Sequence, residues 1–303
     1  MSRSEVGKRP EVGCVEVRSA GHPGRVNSPA IARSPVLGLL LACHPGPTLA
    51  VTAMVTALAA GSGRALPGCV GVAMAVLAGQ LSVGWCNDAA DAARDTATGQ
   101  ARKPIVIGLV AARTVRSAAT VALLLAVPLS LLSGLAAATV HLIAVAAAWA
   151  YNLRLKSTLL SWAPYTLAFG LVPLFVALGQ PGHELPPWWL TAAAALLGLA
   201  AHLANVLPDI AADLTTGVRG LPQRLGVARV RALAPVPSLL AVALLVLAPP
   251  GPPEIPGWSA LTAATALTVT GWALGARHAR LPFATVVGVA AIGVLLLLAQ
   301  GSG

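Results

Sequence analysis

Asn87, Asp91 and Asp95 recur every four residues in NDAADAARD, and Asn205, Asp209 and Asp213 repeat that spacing in NVLPDIAAD. A four-residue step keeps side chains on one face of a helix, so each set predicts a column of oxygen donors near a helix end. The offset is 118 residues for all three positions, and Pro104 and Pro222 share it, which predicts an internal repeat bringing two similar half-sites together. Asp88 lies about a quarter turn off the first column and is expected to contribute less. Stacked carboxylates repel one another and face the negative end of the helix dipole, an arrangement that favours a bound cation. Oxygen-only ligands from Asp and Asn suit Mg²⁺, which keeps several waters and bridges carboxylates to substrate phosphates. Arg102 and Lys103 follow the first column and Arg219 the second, placed to hold the remaining phosphate oxygens. The combination suggests a lipid diphosphate as substrate. An ion or proton pathway in a transporter, or solvated residues marking helix ends, are the competing readings.

These acids stand in a chain of 303 residues that is 56% hydrophobic and only 10% charged. Soluble domains carry about 25% charged residues, so the chain is adapted to lipid, and its length makes one polytopic bundle instead of two soluble domains. The net charge of +10 does not imply a nucleic-acid partner, because the basic residues are scattered between apolar segments. Nothing in the sequence specifies an obligatory protein partner. Cys14, Cys43, Cys69 and Cys86 lack the paired short spacings of a zinc site or disulfide framework.

The elements that must position the columns are apolar. Nine segments, at about 35–60, 66–87, 108–131, 134–151, 158–179, 188–208, 228–248, 257–275 and 282–300, each approach the ~20 residues that cross the hydrocarbon as helix. Continuous Ala, Leu and Val runs select helices over a barrel, giving an all-α polytopic bundle over residues 35–303. Residues 1–34 mix Arg, Glu, Gly and Pro without an apolar core. They predict a disordered cytoplasmic tail, or a start codon assigned too far upstream, and not a signal peptide. With the N-terminus cytoplasmic, Arg64 is the one basic residue of the twenty that falls outside. That orientation puts both acidic columns at the cytoplasmic face of the plasma membrane and the C-terminus outside.

NDAADAARD followed by Lys103-Pro104, DIAAD followed by GVRGLPQRLG, YNLRLK at the end of the fourth segment, and CHPGPTLA in the first together resemble the UbiA superfamily of intramembrane prenyltransferases. The likeness covers the chain after residue 34. It implies two Mg²⁺ ions bound by Asn87, Asp91, Asp95, Asn205, Asp209 and Asp213, with Arg102, Lys103, Lys156 and Arg219 on the diphosphate. Asp91, Asp95, Asp209, Asp213, Lys103 and Tyr151 are then the catalytic set. Val218 stands where quinone-pathway members often carry Lys, leaving Arg219 for the second phosphate contact. The implied reaction moves an isoprenyl group from an allylic diphosphate to a small aromatic or lipid acceptor, with the isoprenoid entering from membrane lipid.

Some members of the superfamily are terpene cyclases that need no acceptor. Cyclases benefit from aromatic walls, and three Phe and two Tyr supply few, so transfer is the expected reaction. The contiguous acidic pattern of CDP-alcohol phosphotransferases is absent. His202 shares the face of the second column; a helix–helix hydrogen bond is its expected role, ahead of contact with the acceptor. His44 and His141 are assigned no chemistry. Trp188 and Trp189 suit an outer aromatic belt.

Overall fold

Proline opens many of the helices, at the position where its missing N–H costs nothing and its fixed φ suits the first turn. The computed structural model describes residues 34–182, 184–275, 278 and 280–301. The predicted tail lies outside these residues apart from Ser34, as do Cys14 and Arg277. The described chain runs through α1 (Pro35–Ala42), α2 (Pro45–Gly61), α3 (Leu66–Ala97), α4 (Ala112–Leu131), α5 (Leu135–Leu153) and α6 (Ala163–Leu178). It continues through α7 (Trp188–Val206), α8 (Ile210–Thr215), α9 (Leu221–Leu225), α10 (Val227–Leu233), α11 (Pro235–Leu247), α12 (Ile255–Gly275) and α13 (Leu281–Gly301). Among the described residues there is no strand, so the all-α expectation holds.

Six stretches are long and apolar enough to cross a membrane: α3, α4, α5, α7, the consecutive α10–α11 run and α13. The α1–α2 pair makes a seventh if its two halves are one span bent by 60°. α6 is shorter, and α12 is long but interrupted by Thr262, Thr265, Thr268 and Thr270. Three of the differences between the predicted segments and the helices bear on the site. The first breaks at Cys43-His44, where His44 takes a left-handed conformation at φ 55°. The second continues as helix about three turns past residue 87, carrying the whole first acidic column. The sixth carries only Asn205 of the second column and ends before Asp209, because Pro208 lacks the N–H to continue it and its ring clashes with the preceding turn.

α3 packs on α2, α4 and α5, α6 on α5 and α7, and α11 on α7 and α12. α13 touches both α2 and α7 and closes a ring of helices. Small residues permit the closest approaches: a Cβ on Gly84 would meet the carbonyl of Cys43, and one on Gly198 the carbonyl of Tyr165. Large apolar side chains such as Leu66 and Ile255 stay exposed on the periphery, as a lipid-facing surface requires.

Candidate active site

The first acidic column stands on one continuous helix. Asp91 and Asp95 are buried on α3, one turn apart, with Asn87 a turn above. Asp91 is held between the Lys156 ammonium, from the loop after α5, and Arg94 at 2.6 Å. Asn87 donates to Asn152 at 3.2 Å, and Asn152 donates to the Val83 carbonyl at 3.0 Å, tying α3 to α5. Asp88 is not a bystander: at 2% exposure it accepts from Lys103 at 2.6 Å and pairs with His44 at 3.0 Å. The bend between α1 and α2 is what brings that imidazole over. Lys103 thus reaches Asp88 first and Asp95 only at 3.8 Å. Burial works against its charge, but Asp88, with Asp95 and Asp91 behind it, outweighs this and holds the ammonium above the usual lysine range.

The second set is not a column on one helix. Asn205 lies in the last turn of α7, while Asp209 stands just before α8, without a side-chain capping bond, and Asp213 lies within it. Asp213 accepts from Gln223 of α9 at 2.8 Å. The backbone N–H of Leu221 bonds to Ser161, fixing the α8–α9 segment against the loop that carries Lys156. Asp209 and Asp213 make no ion pair among the described residues. Burial raises the carboxyl of Asp209, and Asp213 adds to the shift. Asp213 is also raised by burial, opposed by the Gln223 hydrogen bond and reinforced by Asp91. These neighbours show the two sets facing one another: Asp209 feels Lys103, Asp95 and Arg94, and Asp213 feels Arg94, Asp91 and Lys156. Arg102 and Arg219 are exposed and make no ion pair among the described residues.

Among the described residues no three His, Cys, Asp or Glu side chains converge into an all-protein metal cage. The donors are oxygens divided between two lips, one with cationic partners and one without. Mg²⁺ is commonly bound in this way, by one or two carboxylates with the remaining positions left to water and phosphate. The residues fit that ion.

Below the lips lies a cavity of about 240 Å³ between α2, α3, α5, α6, α7 and α13. Asn87, Asn152, Tyr151 and Asn205 stand at its charged end. All three Phe and both Tyr of the chain line it, Tyr151, Tyr165, Phe169, Phe175 and Phe283. The scarcity of aromatics in the sequence therefore did not predict their scarcity at the site. Among the described residues His202 makes no helix–helix hydrogen bond: it is fully buried, both ring nitrogens lack partners there, and it packs against the rings of Tyr151 and Tyr165.

A model of the UbiA prenyltransferase family matches residues 48–284, which include both acidic sets. The chain belongs to the UbiA prenyltransferase family. It is a multi-pass membrane protein. The apo structure of a UbiA homolog from Aeropyrum pernix K1 is similar at 19% identity and a TM-score of 0.69, over 84% of this chain and 98% of that one. A UbiA homolog from Archaeoglobus fulgidus bound to GPP and Mg²⁺ gives 17% identity and 0.66, over 88% of this chain and 100% of that one. A digeranylgeranylglyceryl phosphate synthase structure gives 16% and 0.59, over 88% and 98%. None of the curated proteins matches the chain.

Within this UbiA family member, the structure brings together Asn87, Asp91, Asp95 and Lys103, which spacing had grouped, and Lys156, which the resemblance had added, with Asp209 and Asp213 opposite. It missed Arg94, although its place three residues after Asp91 on a helix was legible as a pair. Asn152 and Gln223 were also missed, inside YNLRLK and GLPQRLG. Their role is to orient neighbours, which spacing does not reveal.

Proposed function

We propose that the chain is a Mg²⁺-dependent prenyltransferase, moving an isoprenyl group from an allylic diphosphate to an aromatic or lipid acceptor with release of diphosphate. The observation that carries this reading is the pair of facing carboxylate sets, interleaved with Lys103, Lys156 and Arg94, at the charged end of an apolar cavity. Related folds bound to GPP or DMAPP with Mg²⁺ support it. Asn87, Asp91, Asp95, Asn205, Asp209 and Asp213 would hold Mg²⁺, in our reading two ions, whose positive charge offsets that of the diphosphate. Lys103, Lys156 and Arg94 donate to diphosphate oxygens and favour the charge that develops as the C1–O bond breaks. Arg102 and Arg219 extend that cationic rim outward. Tyr151, within reach of the fields of both Asp91 and Asp213, positions the reacting carbon. The apolar walls keep water from the allylic cation until the acceptor attacks C1.

The reading includes nine spans with an internal pseudo-repeat, α6 and α12 counted among them. It places a cytoplasmic tail before one catalytic bundle over residues 35–303, with the site on the cytoplasmic side of the plasma membrane. The distribution of basic residues supports that orientation. Purified protein in nanodiscs is expected to release diphosphate from geranyl diphosphate, given an acceptor, only with Mg²⁺. Asp91→Ala and Asp209→Ala should each cut turnover by about 100-fold or more. Undiminished turnover in both variants would end the metal-site reading.

A second reading, cyclisation without acceptor, gains support from the placing of every Phe and Tyr on one cavity, since ring faces stabilise passing cations. Incubation with isoprenyl diphosphates alone separates the two: a cyclic hydrocarbon or alcohol in the extract favours cyclisation, its absence favours transfer.

A further inference from the structure

Three helices line the cavity over the same depth, from Asn87 to Val76 on α3, from Tyr151 to His141 on α5 and from Tyr165 to Phe175 on α6. In each case that is about ten residues, or about 15 Å of helix. On α2 the lining ends at Val55. One turn beyond, Ala59, Val72 and Ala137 are fully buried and do not line the cavity. Val55, Val76 and Phe175 pack with them in one apolar cluster, so the cavity ends at a closed floor.

That floor is held from several sides. His141 stacks on Phe175 of α6 with ring centroids 4.9 Å apart and planes at 26°. Its Nδ1 lies 2.7 Å from the hydroxyl of Ser130 on α4, which is itself fully buried. On α3, Gly79 lies against the other nitrogen: a Cβ there would stand 3.2 Å from Nε2. Fixed by α3, α4 and α6, the ring cannot swing aside to let a longer ligand pass. No Asp, Glu, Lys or Arg lines the cavity, so the group that fills it is uncharged.

Depth and volume give the same measure of that group. Each isoprene unit adds four bonds of ~1.5 Å, about 5 Å when extended. Of the ~15 Å available, about 4 Å is the contact distance between the last carbon and the floor. Two units therefore fit below a C1 held at Tyr151. A cavity of ~150 Å³ accommodates benzene, or about 25 Å³ per carbon. At that packing the 240 Å³ here holds about ten carbons. A third unit exceeds both the depth and the volume.

We propose that the donor is a ten-carbon isoprenyl diphosphate, and that His141 and Phe175, closing the cavity two isoprene units below C1, set that length. The inference deepens the transferase reading, on which it rests, by naming the donor. With the tail filling the cavity, the acceptor reaches C1 from the charged end.

The test is Mg²⁺-dependent equilibrium binding of the dimethylallyl, geranyl and farnesyl thiolodiphosphates, whose sulfur bridge resists cleavage, to the full chain in nanodiscs. Dissociation constants are referred to free aqueous ligand. In wild type, geranyl should bind at least about tenfold tighter than dimethylallyl, because five more carbons leave water. Farnesyl should bind no tighter than geranyl. Phe175→Ala removes a ring from the floor and should make farnesyl about tenfold tighter than geranyl; Phe175→Leu serves if that variant does not fold. Ala148 lies on the lining of α5, three residues from Tyr151, and a longer side chain there points towards the helix N-terminus and so down the cavity. Ala148→Leu should weaken geranyl about tenfold and leave dimethylallyl almost unchanged. Tighter binding of farnesyl than of geranyl by wild type, the signature of a deeper cavity or of a tail leaving sideways into lipid, overturns the proposal. So does an unchanged ratio of farnesyl to geranyl affinity in a folded Phe175 variant, or equal weakening of geranyl and dimethylallyl by Ala148→Leu. Those results leave Mg²⁺-dependent diphosphate binding intact. If wild type binds none of the three with Mg²⁺, the transferase reading falls together with the proposal.

Discussion

Asp88 is the carboxylate whose role changes most between sequence and structure, because what it touches comes from elsewhere in the chain. It anchors Lys103 and His44 together, so it acts on the site by positioning a cation. Asp88→Asn keeps the shape and a hydrogen-bonding oxygen for His44 but removes the charge that holds Lys103. We expect a loss of about 2 kcal/mol in stability, below the ~3–5 kcal/mol for breaking a fully buried pair because Lys103 is 24% exposed, and a roughly tenfold rise in KM for the diphosphate substrate. Thermal unfolding and initial rates check both, and an unchanged KM would show that Lys103 is purely structural. Across the cleft the sign is opposite. Asp209 and Asp213 are raised above the ordinary value of 3.8, chiefly by burial, so in the absence of metal they hold their protons to a higher pH than a free carboxyl does. Whatever stability their protonation contributes is present below that ordinary value and is lost as pH rises through the raised ones. Mg²⁺ requires the carboxylates, so its affinity must climb over the same window. Calorimetric titration with Mg²⁺ from about pH 4 upward should show this climb, and Asp209→Asn should flatten it; a pH-independent affinity in wild type contradicts the assignment.

Helices reach this geometry through close contacts that leave no room for a side chain. Gly84 lies on the cavity face of α3, three residues before Asn87, and a Cβ there would press on the Cys43 carbonyl at the α1–α2 break. Gly84→Ala must push the break outward and take His44 with it. The expected cost is about 1–3 kcal/mol, together with weaker diphosphate binding. Gly99→Ala, with open space around it but a φ of 65°, should lower stability by strain alone and leave substrate affinity intact. Both effects are separable by melting and binding measurements. At this scale the first acidic set was legible, because a four-residue step on an unbroken helix directly gives a face. The second was only partly legible. The same step crosses Pro208, and the break turns a predicted column into one residue just before a short helix and one within it. The bend at Cys43-His44 was marked by Pro45 and Gly46 directly after it, since the residue before a proline avoids the helical region, but the His44–Asp88 pair it creates joins residues 44 apart and could not be read from spacing. Counting aromatics measured how many there are, but their clustering on one cavity is a property of the packed ring.

The whole molecule separates its charges by end, which is a statement about how it sits in a membrane. Arg64, the basic residue that falls on the far side, does not remain a free cation in solvent. Its Nη2 donates to Ser133 at 3.1 Å, and the guanidinium packs against Gly179, joining the α2–α3, α4–α5 and α6–α7 ends. The other basic residues among the described ones fall in or beside the connections at the end that carries both acidic sets, where the positive-inside rule expects the cytoplasm. Single cysteines test this directly. Cys43, Cys69 and Cys86 are buried, so background labelling should be low once Cys14 is replaced by Ser. In that background, Arg219→Cys, beside the second acidic set, should resist a membrane-impermeant maleimide in intact cells and react after permeabilisation. Glu254→Cys, between α11 and α12, should react in intact cells. An inverted result would move the diphosphate site to the outer face, away from a cytoplasmic supply of isoprenyl diphosphate. Labelling of both from the same side would require an even number of crossings between residues 219 and 254, and so remove α10–α11 from the spans.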